Sequence, residues 1–508
     1  MGYSLLAKQL AFRLNAIVLV KLLGFLGRIP LYRILGAEGV GLYQIAYSFY
    51  GLVFTAVTGG FPTALALTTS KNRELGGRLF LFMLIFSLLL GGSLSFFIFF
   101  SAPLVAGTLG NPDLAFAVRC ISPAVCVVPL LFVLRGYLQG LEYYKTIASS
   151  EVVEQAARMV VLLVLTAAWS QLGTPVAVGG AVLGAFSGAS CALLLLCVVF
   201  FYNSKRSSST SRIQINVPKD VKSLRIKRNE LKLFIGTALV ISATRIIVPL
   251  SDFLDSLIIP FRLQISGLTY EEAITVFGEI TGMAATIVYL PTVFTAVLSY
   301  TLSTKVAADW KNQNTERFVH RSKMAMEITW LWGIGMALFL FFYADPLSMI
   351  LFNHAGASKA IRYLAMVPFF VGNRELTTTL LWSANLKRVP INGLLLAVMV
   401  SLFASFFLSA IPGFGYTGAA IGIVLLEIMA ASWNFIALKK RFPSIIRFYA
   451  IVADTMVLAL ISMLLYWLGQ KIDIDFLPKT LHALLTMLLS LLGIVFFMAG
   501  RGRLKSFV

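Results

Sequence analysis

The chain is written in apolar blocks, and their length decides what it can fold into. Most run to roughly twenty residues or a little more with few charges, and about 20 helical residues cross a hydrocarbon core of about 30 Å. Blocks that long exceed the strands of a membrane barrel. A backbone immersed in lipid must satisfy its own hydrogen bonds, so the blocks read as membrane helices. Only residues 203–232, NSKRSSSTSRIQINVPKDVKSLRIKRNELK, form a long polar run.

The blocks fall at residues 11–35, 40–68, 78–102, 114–139, 147–169 and 176–202, then at 232–260, 272–300, 319–343, 360–384, 389–411, 416–438, 447–469 and 480–500. About fourteen spans are expected. They divide into an N-terminal lobe (1–202), a basic linker (203–231), a C-terminal lobe (232–440) and two extra helices with a tail (441–508). Charged residues make up 13% of the chain, and that scarcity fits a polytopic membrane protein. The net charge of +20 is placed by the positive-inside rule rather than by nucleic-acid binding. With the N-terminus inside, the even-numbered connections hold Lys71, Arg73, Arg78, Lys145, the linker, Lys305, Lys311, Arg317, Arg321, Lys323, Lys387, Arg388, Lys439, Lys440, Arg441 and Arg447. The odd connections hold little more than Arg262, Lys359, Lys471 and Lys479. Shifting the count by one span scrambles this asymmetry, so both termini are expected in the cytoplasm. The first block is interrupted by Lys21 and Arg28 and precedes no small-residue cleavage site, so it is expected to be retained as a helix.

A faint repeat relates the halves. FPTALALTTSK leads up to Lys71 and LPTVFTAVLSYTLSTK up to Lys305; Gly180, Gly184 and Gly188 in the sixth block have counterparts in Gly418 and Gly422. An even number of spans per half makes the two lobes parallel repeats.

Charges inside apolar blocks are the candidate functional residues. Lys21 and Arg28 are seven apart, hence nearly on one helical face, with Gly24 and Gly27 between them and Arg33 beyond. A cation at that depth costs about 3 kcal/mol or more without a partner or a watery cavity. Lys21 and Arg28, with Arg33 and Arg245, are therefore candidate cavity cations for an anionic group such as a phosphate; headgroup snorkelling is the other reading. In the seventh block Asp252 and Asp255 are three apart and follow Pro249; with Glu279 they are candidates for coupling to Na+ or H+, a structural ion pair being the alternative. Arg135, with Glu151, Glu154 and Arg158, marks either a cytoplasmic gate or a solvated helix end. Gly136 and Gly140 make a GxxxG step. Glu427 and Asp454 are lone acids, read as buried and hydrogen-bonded or protonated. Cys120, Cys126, Cys191 and Cys197 have no metal spacing, and His320, His354 and His482 are scattered, so no metal site, cofactor or catalytic constellation is expected.

RGYLQG followed by SEVVEQAAR, GLYQIAYSFYGL at 41–52 and IIPFRLQISGLTYEEAITVFGEITGMA at 258–284 resemble the stage V sporulation protein B group. That group lies in the polysaccharide-transporter branch of the multidrug/oligosaccharidyl-lipid/polysaccharide (MOP) exporters, related to the lipid II flippases. The resemblance implies an all-α membrane protein with two six-helix lobes in a V around a central cavity, plus the two C-terminal helices. It implies flipping of a polyprenyl-pyrophosphate-linked sugar across a bacterial cytoplasmic membrane, with lipid as surroundings and cell-wall synthesis machinery as a candidate partner. Lys21 and Arg28 match first-helix cations of the lipid II flippases, and Asp252 or Asp255 could supply a sodium site. Where those flippases carry an arginine early in the eighth helix, this chain reads Gly278-Glu279-Ile280. A multidrug exporter with cation coupling is the alternative within the superfamily; the cationic first helix and the surplus spans weigh against it.

Overall fold

The computed structural model describes residues 2–205, 226–445, 448–471 and 478–500. Most of the basic linker and the tail with Arg501, Arg503 and Lys505 lie outside the described residues, as does Arg447. All regular structure among the described residues is helical. Among the described residues, ten helices are long and apolar enough to cross a membrane, and a bent pair, Tyr270–Val288 with Thr292–Lys311, would make an eleventh span. The other spans expected from the sequence fall on α1 (Gly2–Thr58) and on the pair α15 (Ala357–Leu364) and α16 (Val367–Ser383). The chain divides into two compact units, residues 1–257 and 258–508. The division falls inside α9 (Ile247–Ile265), later than the polar linker.

In unit 1, α1 consists of two helical limbs that meet at a kink at Gly36, where φ is 66° and ψ 176°. That region is open essentially to glycine, and it separates the first two apolar blocks where the sequence separates them. Gly59 and Gly60 end α1 before α2 (Phe61–Lys71). A Cβ on Gly60 would lie 2.3 Å from the Ala238 carbonyl oxygen of α8 (Arg228–Arg245), so this break is where α8 closes onto α2. The unit continues with α3 (Arg73–Phe100), α4 (Ala102–Thr108), α5 (Ala115–Gly140), α6 (Tyr144–Trp169) and α7 (Thr174–Lys205). Close packing here is carried by small residues. Cβ atoms on Gly136 and Gly140 would meet the carbonyls of Pro62 and Ala66, so the GxxxG step seats α5 against α2. Gly180, Gly184 and Gly188 press α7 onto α6 at Leu165, Leu162 and Glu154. Lipid tails are as apolar as leucine, so helices gain by close backbone approach rather than by escaping solvent.

Unit 2 opens on the last part of α9 and continues with α10 (Tyr270–Phe277), capped by Thr269 and Glu272 in a reciprocal box, then a π-helical turn at Gly278–Ala284 and α11 (Ala285–Val288). After a 52° bend comes α12 (Thr292–Lys311). The sequence shows one block here; Pro291 and the π turn break it. Next are α13 (Thr315–Phe342), α14 (Ala344–Phe352), α15, α16, α17 (Arg388–Leu408) and α18 (Gly415–Arg441). Gly418 and Gly422 seat α18 on Leu408 and Ser405, as the α7 glycines seat that helix on α6. The last helices, α19 (Phe448–Lys471) and α20 (Lys479–Gly500), pack on α13: Tyr343 just beyond it bonds Ser490 at 2.7 Å, and Trp330 donates to Thr455 at 3.3 Å.

Candidate functional site

Unit 1 assembles its polar residues where α1, α5 and α6 meet. Gly24 and Gly27 face α6; Cβ atoms there would lie 3.0 Å from Gln155 Nε2 and 2.1 Å from Met159 Sδ. Lys21, Arg28 and Arg33 remain exposed beside this tight contact. Arg28 lies within electrostatic reach of Tyr32, Tyr43, Tyr47 and Arg158. The tyrosines extend a ladder along the second limb of α1, with Tyr43 and Tyr47 stacked at 5.4 Å and Tyr47 and Tyr50 at 5.7 Å. A cation amid phenols is a surface suited to an anionic head and its sugar rings.

Next to it lies a buried ionic network. Glu154 accepts from Arg135 Nη1 at 2.6 Å through one oxygen and from Arg158 Nη2 at 2.9 Å through the other. Arg135 Nε donates to Ser150 at 3.0 Å, and Arg158 Nη1 donates to Tyr47 at 3.2 Å. Side-chain exposures of 9%, 13% and 18% for Arg135, Glu154 and Arg158 exclude the reading of a solvated helix end. Glu151, one turn earlier, is half-buried. The network reaches the second limb of α1 through Tyr47 and approaches Arg28 through Arg158, a link the sequence does not display.

The seventh-span residues separate. The helix breaks at Ile246, and Pro249 sits in the first turn of α9, where its missing N–H is tolerated, rather than in mid-helix as the block suggested. Arg245 donates to the Gly59 carbonyl at 3.2 Å, which ties α8 to the α1–α2 break. Asp252 is exposed whereas Asp255 is buried, so the two acids occupy different environments.

In unit 2, Glu279 is buried in the π-helical turn. His354 Nε2 lies 2.7 Å from its Oε1, and the Tyr416 hydroxyl donates to its Oε2 at 2.9 Å. Neither open cavity nor outer water surrounds this carboxylate. A Cβ on Gly356 would lie 1.9 Å from Glu279 Oε1, so the backbone after His354 closes directly over it. Arg374, adjacent to Glu375 in the sequence, pairs with the lone acid Glu427 through contacts of 2.6 and 3.3 Å. At the far end of the unit, Arg321 pairs with Asp309 at 2.6 Å. Sequence reading missed His354, Tyr416 and Gly356: a histidine in a short connection and a tyrosine in the first turn of a helix carry no periodic signal.

Residues 6–298 match the family described as polysaccharide biosynthesis protein. Over 436 residues the chain is 28% identical to stage V sporulation protein B of Bacillus subtilis (strain 168), covering 84% of this chain and 82% of that protein. Among solved structures, it superposes on the lipid II flippase MurJ in an inward closed conformation with a TM-score of 0.68 at 14% identity, over 96% of this chain and 98% of that one. A multidrug resistance MATE family transporter of the MOP superfamily, inward-facing, also gives 0.68 at 15% identity, over 84% and 95%. These likenesses establish an α-helical, multi-pass MOP-type fold.

Proposed function

The chain belongs to the polysaccharide biosynthesis protein family, and from that membership we propose that it is a flippase for a polyprenyl-pyrophosphate-linked sugar, working by alternating access in a bacterial cytoplasmic membrane with both termini inside. The observation that carries the reading is Arg28: an arginine residue with exposed surface within an apolar span, its charge in electrostatic company with three tyrosines and Arg158. A pyrophosphate brings negative charge that such a group can hold, and aromatic rings suit a sugar. Lys21, about two turns away on nearly the same face, extends the positive surface; Arg33 lies near the end of its limb of α1 and Arg245 at the end of α8. The buried Arg135–Glu154–Arg158 network would carry a change at Arg28 into α5 and α6. Asp252 and Asp255 remain the candidates for Na+ coupling, and the reading is of a carrier rather than an enzyme. Relatives named for sporulation and for lipid II support a cell-wall or related polysaccharide precursor as cargo.

The test is a leaflet assay. Full-length protein in liposomes carrying a fluorescent undecaprenyl-pyrophosphate oligosaccharide should expose label to an external quencher. Arg28→Ala and Lys21→Ala together should slow that exposure at least tenfold, about 1.4 kcal/mol of barrier or more. Movement indistinguishable from protein-free liposomes would refute the proposal, as would full activity in the double variant. Efflux of ethidium that depended on Asp252 would favour a cation exporter instead.

A further inference from the structure

Glu279, His354 and Tyr416 come from three elements of unit 2: the π-helical turn, the segment between α14 and α15, and the first turn of α18. We propose that they form a proton-binding clasp, in which a proton held between His354 and Glu279 fastens the α14–α15 segment onto the π-helical turn, and its loss releases that segment. The proposal gives the transport reading a regulatory ligand and rests on that reading only for its purpose; the clasp is testable without it.

The geometry argues in three steps. First, both oxygens of a carboxylate whose side chain is 8% exposed are occupied by titratable partners. A buried carboxylate requires a compensating charge or a proton, and of these two partners only His354 can supply a full positive charge by taking up a proton. Lys359 Nζ stands over the Tyr416 ring, 4.4 Å from its centroid, and so acts through the ring rather than on the carboxylate. On the adjoining elements, the Tyr363 ring lies 6.1 Å from that of Tyr416, Arg362 of α15 and Asp345 of α14 pair with each other, and Glu271 and Glu272 lie in the first turn of α10, where Glu272 caps the helix. Second, the His354 side chain is 35% exposed, so a proton has a path from water to His354 and from there to Glu279. Third, the contact depends on a glycine. A Cβ on Gly356 would lie 1.9 Å from Glu279 Oε1 and 2.7 Å from His354 Nε2. The Ser348 hydroxyl bonds the His354 carbonyl and steadies the same loop. π-Helical turns of this kind often mark functional positions.

The sign follows from the pair. The hydrogen bond that His354 donates to Glu279 holds the imidazole above its ordinary value, against a smaller opposing effect of burial. The clasp is therefore complete below that ordinary value and is lost as pH rises through the raised one. With the termini inside, this end of unit 2 faces out, so external acid fastens it.

The experiment uses full-length protein in detergent micelles, with 13C-labelled histidine followed by NMR. Three histidines, His320, His354 and His482, give three signals, and His354→Gln identifies its own. The His354 signal should titrate above the other two, and both Glu279→Gln and Gly356→Ala should bring it down; Gly356→Ala keeps all three titratable groups, so it serves even where Glu279→Gln does not fold. Hydrogen exchange of residues 344–366, compared with His354→Gln at each pH, should show protection that vanishes as pH rises through the His354 titration. A His354 signal that titrates with the other histidines overturns the proposal; so does one that neither variant moves, or protection equal in wild type and His354→Gln throughout. An intact clasp in a protein that moves no lipid-linked sugar would overturn the transport reading alone.

Discussion

Glu154 bridges two guanidiniums, and a double-mutant cycle can measure what that bridge contributes. The Arg135 contact is 2.6 Å and the Arg158 contact 2.9 Å, with all three side chains less than a fifth exposed. Unit charges about 4 Å apart at an effective dielectric of about 20 attract by about 4 kcal/mol. Desolvation of the buried ions offsets part of this, so a coupling of about 1–3 kcal/mol is expected between Arg135→Gln and Glu154→Gln. Glu154→Gln alone strands two buried cations and should cost about 3–5 kcal/mol, more than Arg135→Gln, which leaves Arg158 to hold the carboxylate. The assay is equilibrium unfolding of full-length protein in bicelles with increasing SDS, read by tryptophan fluorescence. The control is the cycle between Arg135→Gln and Ser95→Ala, a residue whose hydroxyl bonds the Ser122 carbonyl in another part of α5; it should be additive within about 0.5 kcal/mol. Additivity to the same degree between Arg135 and Glu154 would refute the argument that these residues act as one buried network.

Two glycines with open space at Cβ should respond oppositely to alanine. Gly36→Ala, at φ 66° and ψ 176°, should destabilise by about 1–3 kcal/mol from backbone strain alone, whereas Gly51→Ala, inside the second limb of α1, should be neutral or stabilising by up to about 1 kcal/mol, both read in the same SDS titration. Gly418→Ala places a Cβ 2.3 Å from the Leu408 carbonyl and should cost about 1–3 kcal/mol by forcing α17 and α18 apart. For His354, whose imidazolium is favoured by Glu279, the melting temperature of wild type should exceed that of His354→Gln most at pH below about 6.5, and the difference should shrink as pH climbs through the raised value; a difference that grows with pH would contradict the pairing.

What the sequence reveals is what repeats locally. Block length alone places α3, α5, α6 and α7 within a few residues, and the break at Gly36 falls in the gap between the first two blocks. The GxxxG step and the Gly180–Gly184–Gly188 stripe are legible because small residues at helical spacing have one common use in lipid. Of the ionic network, Glu154 and Arg158 are visible as an i,i+4 pair. Tyr47 is not, lying 111 residues from Arg158; nor are Glu427, 53 residues from Arg374, and Tyr416, 137 from Glu279. Such partners are chosen by the packing of whole helices, and no pattern within one helix encodes them. The bend after α11 escaped for a different reason: a π turn carries no composition of its own, and Pro291 within an apolar run is also compatible with a continuous span.

Two intramembrane arginines, Arg135 buried and Arg374 half-buried, bear on how each unit could move. Arg135 lies on α5, the fourth span in the sequence count of the first half, and Arg374 on α16, the fourth of the second; each is held by a glutamate of another helix in its own unit. The fastening differs. Arg135 is locked to α6 and, through Glu154, Arg158 and Tyr47, to the limb of α1 that follows the cationic one. Arg374 is locked to Glu427 on α18, the helix whose first turn carries Tyr416. Eleven helical residues separate Tyr416 from Glu427, about 16 Å of rigid helix. A helix held at both places cannot tilt at its clasp end without loading the ion pair at the other, because breaking that pair strands a buried charge at a cost of about 3–5 kcal/mol. Release of the clasp therefore favours movement of the α14–α15 segment over movement of α18, and exchange protection should change in residues 344–366 while the α18 backbone around Glu427 stays protected.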